Sequence, residues 1–142
     1  MADTVPRAWQ VLEAMRARLQ VITVANGYRT DAGLDVRTNR TEQVPAAPYL
    51  SLARQSTASK DDRSKPNDRV LSVVVEAHVP VTLTDAERRA EDISEDIEDA
   101  LTAYLQMPLA LPLRFVDNVL LDRPDGLPVM VAQVLYETEY RR

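Results

Sequence analysis

The chain has 142 residues, enough for one domain that buries roughly 70% of its extended surface on folding. Hydrophobic residues make up 45% and charged residues 27%, with a formal net charge of −5, so the balance is that of a globular protein lacking the cationic surface that non-specific nucleic-acid binding needs. The absence of cysteine excludes disulfides, zinc-thiolate sites and thiol catalysis, and a single histidine and three glycines argue against His-rich metal sites and phosphate-cradling loops. No apolar run approaches the about 18 residues of a membrane span, and the opening Met1–Pro6 lacks a signal peptide's pattern. Composition thus points to a cytosolic, single-domain, non-enzymatic protein without cofactors.

The first predicted element is a helix, with Thr4 as N-cap and Pro6 in its first turn. Ala8, Leu12, Met15 and Leu19 recur at helical spacing; Arg7, Glu13, Arg16 and Arg18 form the wet side, and Asn26-Gly27 is the stop. From Tyr28 the period changes to two. Tyr28, Thr30, Ala32, Leu34 and Val36 alternate with polar residues and Gly33, which predicts a half-buried strand or two short arms around Ala32-Gly33. Thr38 to Pro48 is a loop, and Tyr49 to Gln55 a second, short strand.

Ser56 to Asp68 holds Lys60, Asp61, Asp62, Arg63 and Lys65 with no large apolar residue. A mobile surface loop is the plain reading, but a connection this long between two strands also fits a projecting, functional arm. Arg69 to Val81 is the strongest strand. Leu71, Val73, Val75, Ala77, Val79 and Val81 form its apolar face, while Val70, Ser72, Val74, Glu76, His78 and Pro80 form a face that turns polar along its length.

A second helix opens at Thr84, which with Glu87 matches a capping box. Its narrow stripe of Ala86, Ala90, Ile93, Ile97, Leu101 and Tyr104 is surrounded by charge, until Met107-Pro108 ends it. Arg114 to Asp122 and Val129 to Tyr140 read as strands joined by Pro124-Asp125-Gly126. The expected fold is α+β: one mostly antiparallel sheet packed with two helices, order α-β-β-β-α-β-β.

Two clusters could carry chemistry. In the acidic helix, Glu87, Glu91, Glu95 and Asp99 repeat every four residues, a spacing at which like charges repel. The row fits either a solvated face or an acidic surface that lets another polyanion slide past. Dinuclear metal binding would need Glu-x-x-His motifs or carboxylates from several helices, which the sequence lacks. On the central strand, Ser72, Glu76 and His78 share a face, an arrangement that alternation often produces by chance and that makes a hydrolase the weakest reading. Residues 1–70 carry a net +3 and residues 71–142 a net −8. Such polarity suits head-to-tail association of one edge with a different edge of the next copy.

The leading helix, Asn26-Gly27-Tyr28 with Asp31-Ala32-Gly33, Pro48-Tyr49-Leu50, the long polar loop, the strand Val70–Val81, the acidic helix and the closing hairpin occur in one order. In that pattern, over nearly the whole chain, the sequence resembles the tail terminator (tail-completion) proteins of long-tailed bacteriophages, especially the siphophage type. The resemblance implies a virion protein, assembled in the host cytoplasm, that forms a hexameric ring with copies of itself. The ring would cap the tail tube protein, stop its polymerisation and present a surface to a head–tail connector protein, with DNA only as passing cargo and no membrane partner. Charge and length then make Glu91, Glu95, Asp96 and Asp99 candidates for an acidic lumen lining. Lys60, Asp61, Asp62, Arg63 and Lys65, in a loop projecting over 56–68 from a single domain of 1–142, are candidates for a docking arm. The alternatives are another neck or connector component, or a small ligand-binding α+β domain.

Overall fold

The computed structural model describes residues 5–38, 46–60, 65–102, 104–122 and 124–142. Two helices, α1 (Arg7–Leu19) and α2 (Ala86–Thr102), pack on a five-stranded sheet of β1 (Val36–Arg37), β2 (Tyr49–Ser59), β3 (Asp68–Pro80), β4 (Arg114–Asp122) and β5 (Val129–Arg141). The strand order is β1-β2-β3-β5-β4, antiparallel throughout except for the parallel β1–β2 pair. This is the expected α+β arrangement.

The helix-covered face is set by alternation on β3. Leu71, Val73, Val75, Ala77 and Val79 are fully buried and meet Leu50 and Leu52 of β2 and Ala132, Val134 and Tyr136 of β5. Against them lie Val11, Leu12, Met15 and Leu19 of α1 and Ala90, Ile93, Ile97 and Leu101 of α2. The two helices are tied together where Arg18 Nε donates to the carbonyl of Ala100 (2.9 Å), a cation at the negative end of α2.

Four expectations need correcting, besides the end of α2, which falls at Thr102 and not at Met107-Pro108, leaving Tyr104 outside the helix. The first concerns Tyr28–Val36, which is not a strand: it folds as turns with a 3-10 helix at Ala32–Leu34, and only Val36–Arg37 joins the sheet. Side chains supply the backbone partners there. Asp31 Oδ1 accepts from Val24 N (2.8 Å), and Asp96 accepts from both Arg29 N (3.0 Å) and Thr30 N (2.8 Å). Such local and long-range side-chain acceptors compete with a strand ladder. Gly33 N–H donates to Ile22 O at 2.8 Å, and a Cβ at Gly33 would lie 2.6 Å from Leu19 O, so the segment lies flush against the end of α1.

The second is the helix stop. Helix α1 ends at Leu19, and Gly27, with φ +92°, closes a separate 3-10 turn at Val24–Asn26. Pro6 stands at the N-cap position rather than inside the helix, its carbonyl accepting from Gln10 N (3.1 Å), and Thr4 lies outside the described residues. The third is the start of α2, which follows Asp85 (φ +56°) at Ala86, so Thr84 is one position too early for the capping box. The fourth is the arm. Ser56–Ser59 pair with Arg69–Ser72, so the β2–β3 hairpin is longer and the connection between its strands narrower than 56–68.

Both outer partners of the β3–β5 pair carry a bulge at one level. Register slips by one residue between Arg54 and Ser56 on β2, and between Phe115 and Asp117 on β4. The row Arg54–Val73–Tyr136–Phe115 runs between them across four strands, while β3 and β5 stay in unbroken register from Asp68–Arg141 to Pro80–Val129.

Candidate functional site

The acidic helix presents two chemically different sides. Glu91, Glu95 and Asp99 are exposed, as is Glu87 one turn earlier. Asp96 is fully buried, which removes it from any solvent-facing lining. Helical geometry explains the split: position 96 falls beside Ile93, Ile97 and Ala100 on the inward face, where a sequence rich in carboxylates gives no sign that one of them turns inside. Its oxygens are fully engaged. Oδ1 accepts from Arg29 N and Arg29 Nη1 (3.0 and 3.1 Å), and Oδ2 accepts from Thr30 N and Thr30 Oγ1 (both 2.8 Å).

Arg29 spans the boundary between the two sides, its Nη1 also reaching Asp99 Oδ2 at 2.8 Å. The hydrogen bond to Asp99, then that to Asp96, raises the guanidinium pKa. Glu98 is held above its ordinary value, first by partial burial and then by the charges of Glu95 and Asp99. The Tyr136 hydroxyl is also raised, by burial first and then by Glu98 and Asp99. The outer side of α2 is thus a field of negative potential, partly offset at one end by Arg29.

A groove of about 700 Å³ opens between the start of α2 and the Arg29–Asp35 segment, with Val24, Leu34, Pro48 and Ile93 in its wall. Its cations are engaged internally. Arg88 Nε pairs with Asp92 (3.0 Å), and Arg89 Nε donates to Thr84 O (2.9 Å).

At the arm, Lys60 Nζ pairs with Glu139 (2.6 Å), and Lys65 offers its carbonyl to Asp68 N (3.1 Å). Asp61, Asp62 and Arg63 lie outside the described residues. Lys60 is therefore a contact at the loop end of the hairpin, bridging to β5.

On the face of the sheet away from the helices, a buried polar cluster joins three strands. Ser51 Oγ and His78 Nε2 share a hydrogen bond of 2.9 Å, and Gln133 Nε2 donates to Glu76 Oε2 at 2.8 Å. His78 stacks on Tyr49 at 4.4 Å, and the Arg37 guanidinium lies 4.1 Å from the Tyr49 ring centroid on its other flank. The serine beside His78 is Ser51, not Ser72; the β2–β3 register that brings Ser51 opposite Glu76 is invisible in either strand alone. Glu76 Oε1 approaches His78 at Nε2 (3.7 Å), the same nitrogen that serves Ser51. A catalytic carboxylate orients the opposite ring nitrogen, and Ser51, Glu76 and His78 are each no more than 5% exposed. The geometry is that of a hydrogen-bonded network within the subunit.

No protein-family model matches the sequence, and no curated protein matches it. Among solved structures, the fold is similar to a chain of the "Virion of native gene transfer agent (GTA) particle", with a TM-score of 0.60 and 16% identity. The likeness covers 95% of this chain and 92% of that one, so the two share a fold from end to end.

Proposed function

We propose that this chain is a structural subunit of a phage-like virion and, more narrowly, a tail terminator: a ring, most simply of six copies, that caps the tail tube and offers a head–tail joining surface. The observation that carries this reading is the end-to-end likeness to a chain of a gene transfer agent virion, 0.60 in TM-score over 95% of the sequence. The opposite net charges of the two halves, +3 and −8, support head-to-tail assembly independently of that likeness. In this reading Glu91, Glu95 and Asp99 line the DNA conduit, where negative potential keeps the phosphate backbone from adhering. The tip of the β2–β3 hairpin docks on the tube or a neighbouring subunit.

Electron microscopy of the purified protein mixed with tail tubes tests the proposal. Ring-shaped density at one tube end, with tubes that no longer elongate, is the expected result. Tubes that stay bare and grow normally overturn the terminator assignment. Rings found at a connector instead would place the chain elsewhere in the neck. Deleting residues 61–64, between the paired strands and Lys65, should leave the fold intact, because shortening a surface connection has little effect on stability, while abolishing docking. Normal capping by the deletion variant would reduce that segment to a connecting loop.

A further inference from the structure

The dipeptide Asn26-Gly27 sits in the turn beyond α1, and the ring proposed above makes no use of it. Its chemistry is singular in this chain. Asparagine occurs at 26, 39, 67 and 118, and only Asn26 precedes a glycine. An asparagine loses its side-chain nitrogen when the next backbone nitrogen attacks its amide carbon, and a side chain on that next residue hinders the approach. Glycine has none and rotates freely. The position is also open to water and base: Val24 is 56% exposed, and Ala25, Asn26 and Gly27 are exposed with it.

The reaction is a hydrolysis in two steps. Gly27 N gives its proton to base and its electron pair bonds to Asn26 Cγ. The Cγ–Nδ2 bond breaks, and the nitrogen takes up a proton and leaves as ammonia. Water then opens the cyclic imide at either of its carbonyls. The product is aspartate or, with the main chain rerouted through Cβ, isoaspartate, each one mass unit heavier than asparagine.

The folded turn withholds what each step needs. Gly27 N–H, the group that must become the nucleophile, donates to Val24 O at 3.0 Å. Asn26 Nδ2 donates to Val21 O at 2.9 Å, which holds the amide back against the end of α1. Ring closure also requires rotation about the Cα–C bond of Asn26, and the 3-10 turn Val24–Asn26 keeps ψ there at about −20 to −30°. That turn is itself anchored at both ends. Thr23 accepts from Asn26 N through its carbonyl (3.0 Å) and its Oγ1 (3.3 Å), and Asp31 Oδ1 accepts from Val24 N (2.8 Å). Hydrogen bonds, and not burial, are what shield the dipeptide.

We propose that Asn26 is a latent, one-way modification site gated by this turn: unreactive while the turn is closed, and deamidated when the segment opens. The gate works in one direction because the product cannot restore it. A carboxylate at position 26 sets an acceptor against the Val21 carbonyl where Nδ2 gave a donor, and isoaspartate lengthens the main chain by one carbon inside a turn closed by short hydrogen bonds. Each opening thus leaves a chemical record in the subunit. The proposal is independent of the terminator reading, since it concerns the single chain.

The test incubates the full-length chain at mildly alkaline pH, in native buffer and in concentrated guanidinium chloride. Peptide mass spectra follow the one-unit gain and the isoaspartate product at each asparagine. In guanidinium, Asn26 should react first of the four, and in native buffer it should react at least about tenfold more slowly than that, because only the open fraction is attacked. Asp31→Ala and Thr23→Val each remove one anchor of the turn. With circular dichroism showing either variant folded, its native rate should exceed wild type by about threefold or more. Equal wild-type rates in the two solvents, or folded variants as slow as wild type, overturn the gate. Wild type alone supplies a further check should both variants unfold: deamidation should quicken in guanidinium well below the unfolding midpoint. A rate that stays flat until the whole chain unfolds overturns local gating.

Discussion

Asp96 and Glu95 are neighbours on α2, yet the two sides of the helix do opposite work. Inside, one carboxylate is fully buried and gathers four hydrogen bonds from Arg29 and Thr30. Outside, Glu91, Glu95 and Asp99 meet solvent, and their mutual repulsion is a small penalty. A buried charge is tolerated only when its lone pairs are met, so Asp96 dictates the path of a segment more than sixty residues away in sequence. Apart from the exposed Asp99–Arg29 pair, the outer row dictates nothing about the fold and sets only the potential around it.

Substitution at Asp96 tests this division most severely. Asp96→Ala leaves two backbone N–H groups, a hydroxyl and part of a guanidinium without their acceptor, and should lower unfolding free energy by about 3–5 kcal/mol in denaturant titration. A loss below about 1 kcal/mol would erase the distinction between the two sides. Next comes Gly33→Ala, in the segment Asp96 holds. The new methyl would meet Leu19 O at 2.6 Å and Ile22 O at 2.7 Å, both backbone atoms, for an expected loss of about 1–3 kcal/mol.

Neutralising Glu91 and Glu95 to Gln and Asp99 to Asn should change stability by less than about 1 kcal/mol, since the exposed Arg29–Asp99 pair contributes little. In the ring proposed above, its effect is expected in DNA passage. Particles built with the neutral variants should form but eject DNA abnormally, and Lys variants should be worse and strongly salt-dependent. Normal ejection from Lys particles would mean that this side of α2 faces away from the DNA.

Glu98 gives the smallest and sharpest signal. Its folded-state pKa is raised, so the native state binds the extra proton, and stability declines as pH rises from its ordinary value of 4.5 through the higher native one. Glu98→Gln should therefore gain slightly over wild type at neutral pH and lose that advantage below pH 4.5. A gain independent of pH would point to packing instead of charge.

The parts of the molecule legible in its sequence are those whose partners are of one kind. Valines on β3 need only an apolar layer, and the stripe Ala90–Ile93–Ile97–Leu101 needs only a sheet to lie on, so period alone identifies them. Residues 28–34 alternate as regularly, but Arg29 and Thr30 give their N–H groups to a carboxylate on another element, and Leu34 on the supposed apolar face is exposed. Such a pairing is specific and distant, so no local pattern announces it. The same holds for Ser51, which joins Glu76 and His78 only through the β2–β3 register. Asp96 was hidden by its company, one acid among many on a helix whose charge suggests solvent everywhere outside the stripe.

The two bulges that flank the row from Arg54 to Phe115 have a mechanical consequence. A bulge bends its strand and tightens local twist, and two at one level, on either side of an uninterrupted β3–β5 ladder, make a crease across the sheet. On the hairpin side of that line the strands stay tied to the body, since Leu71 lies in the core and Thr138 Oγ1 donates to Leu111 O (2.6 Å), so the crease re-aims the outer end of the β2–β3 hairpin and leaves the core packing unbroken.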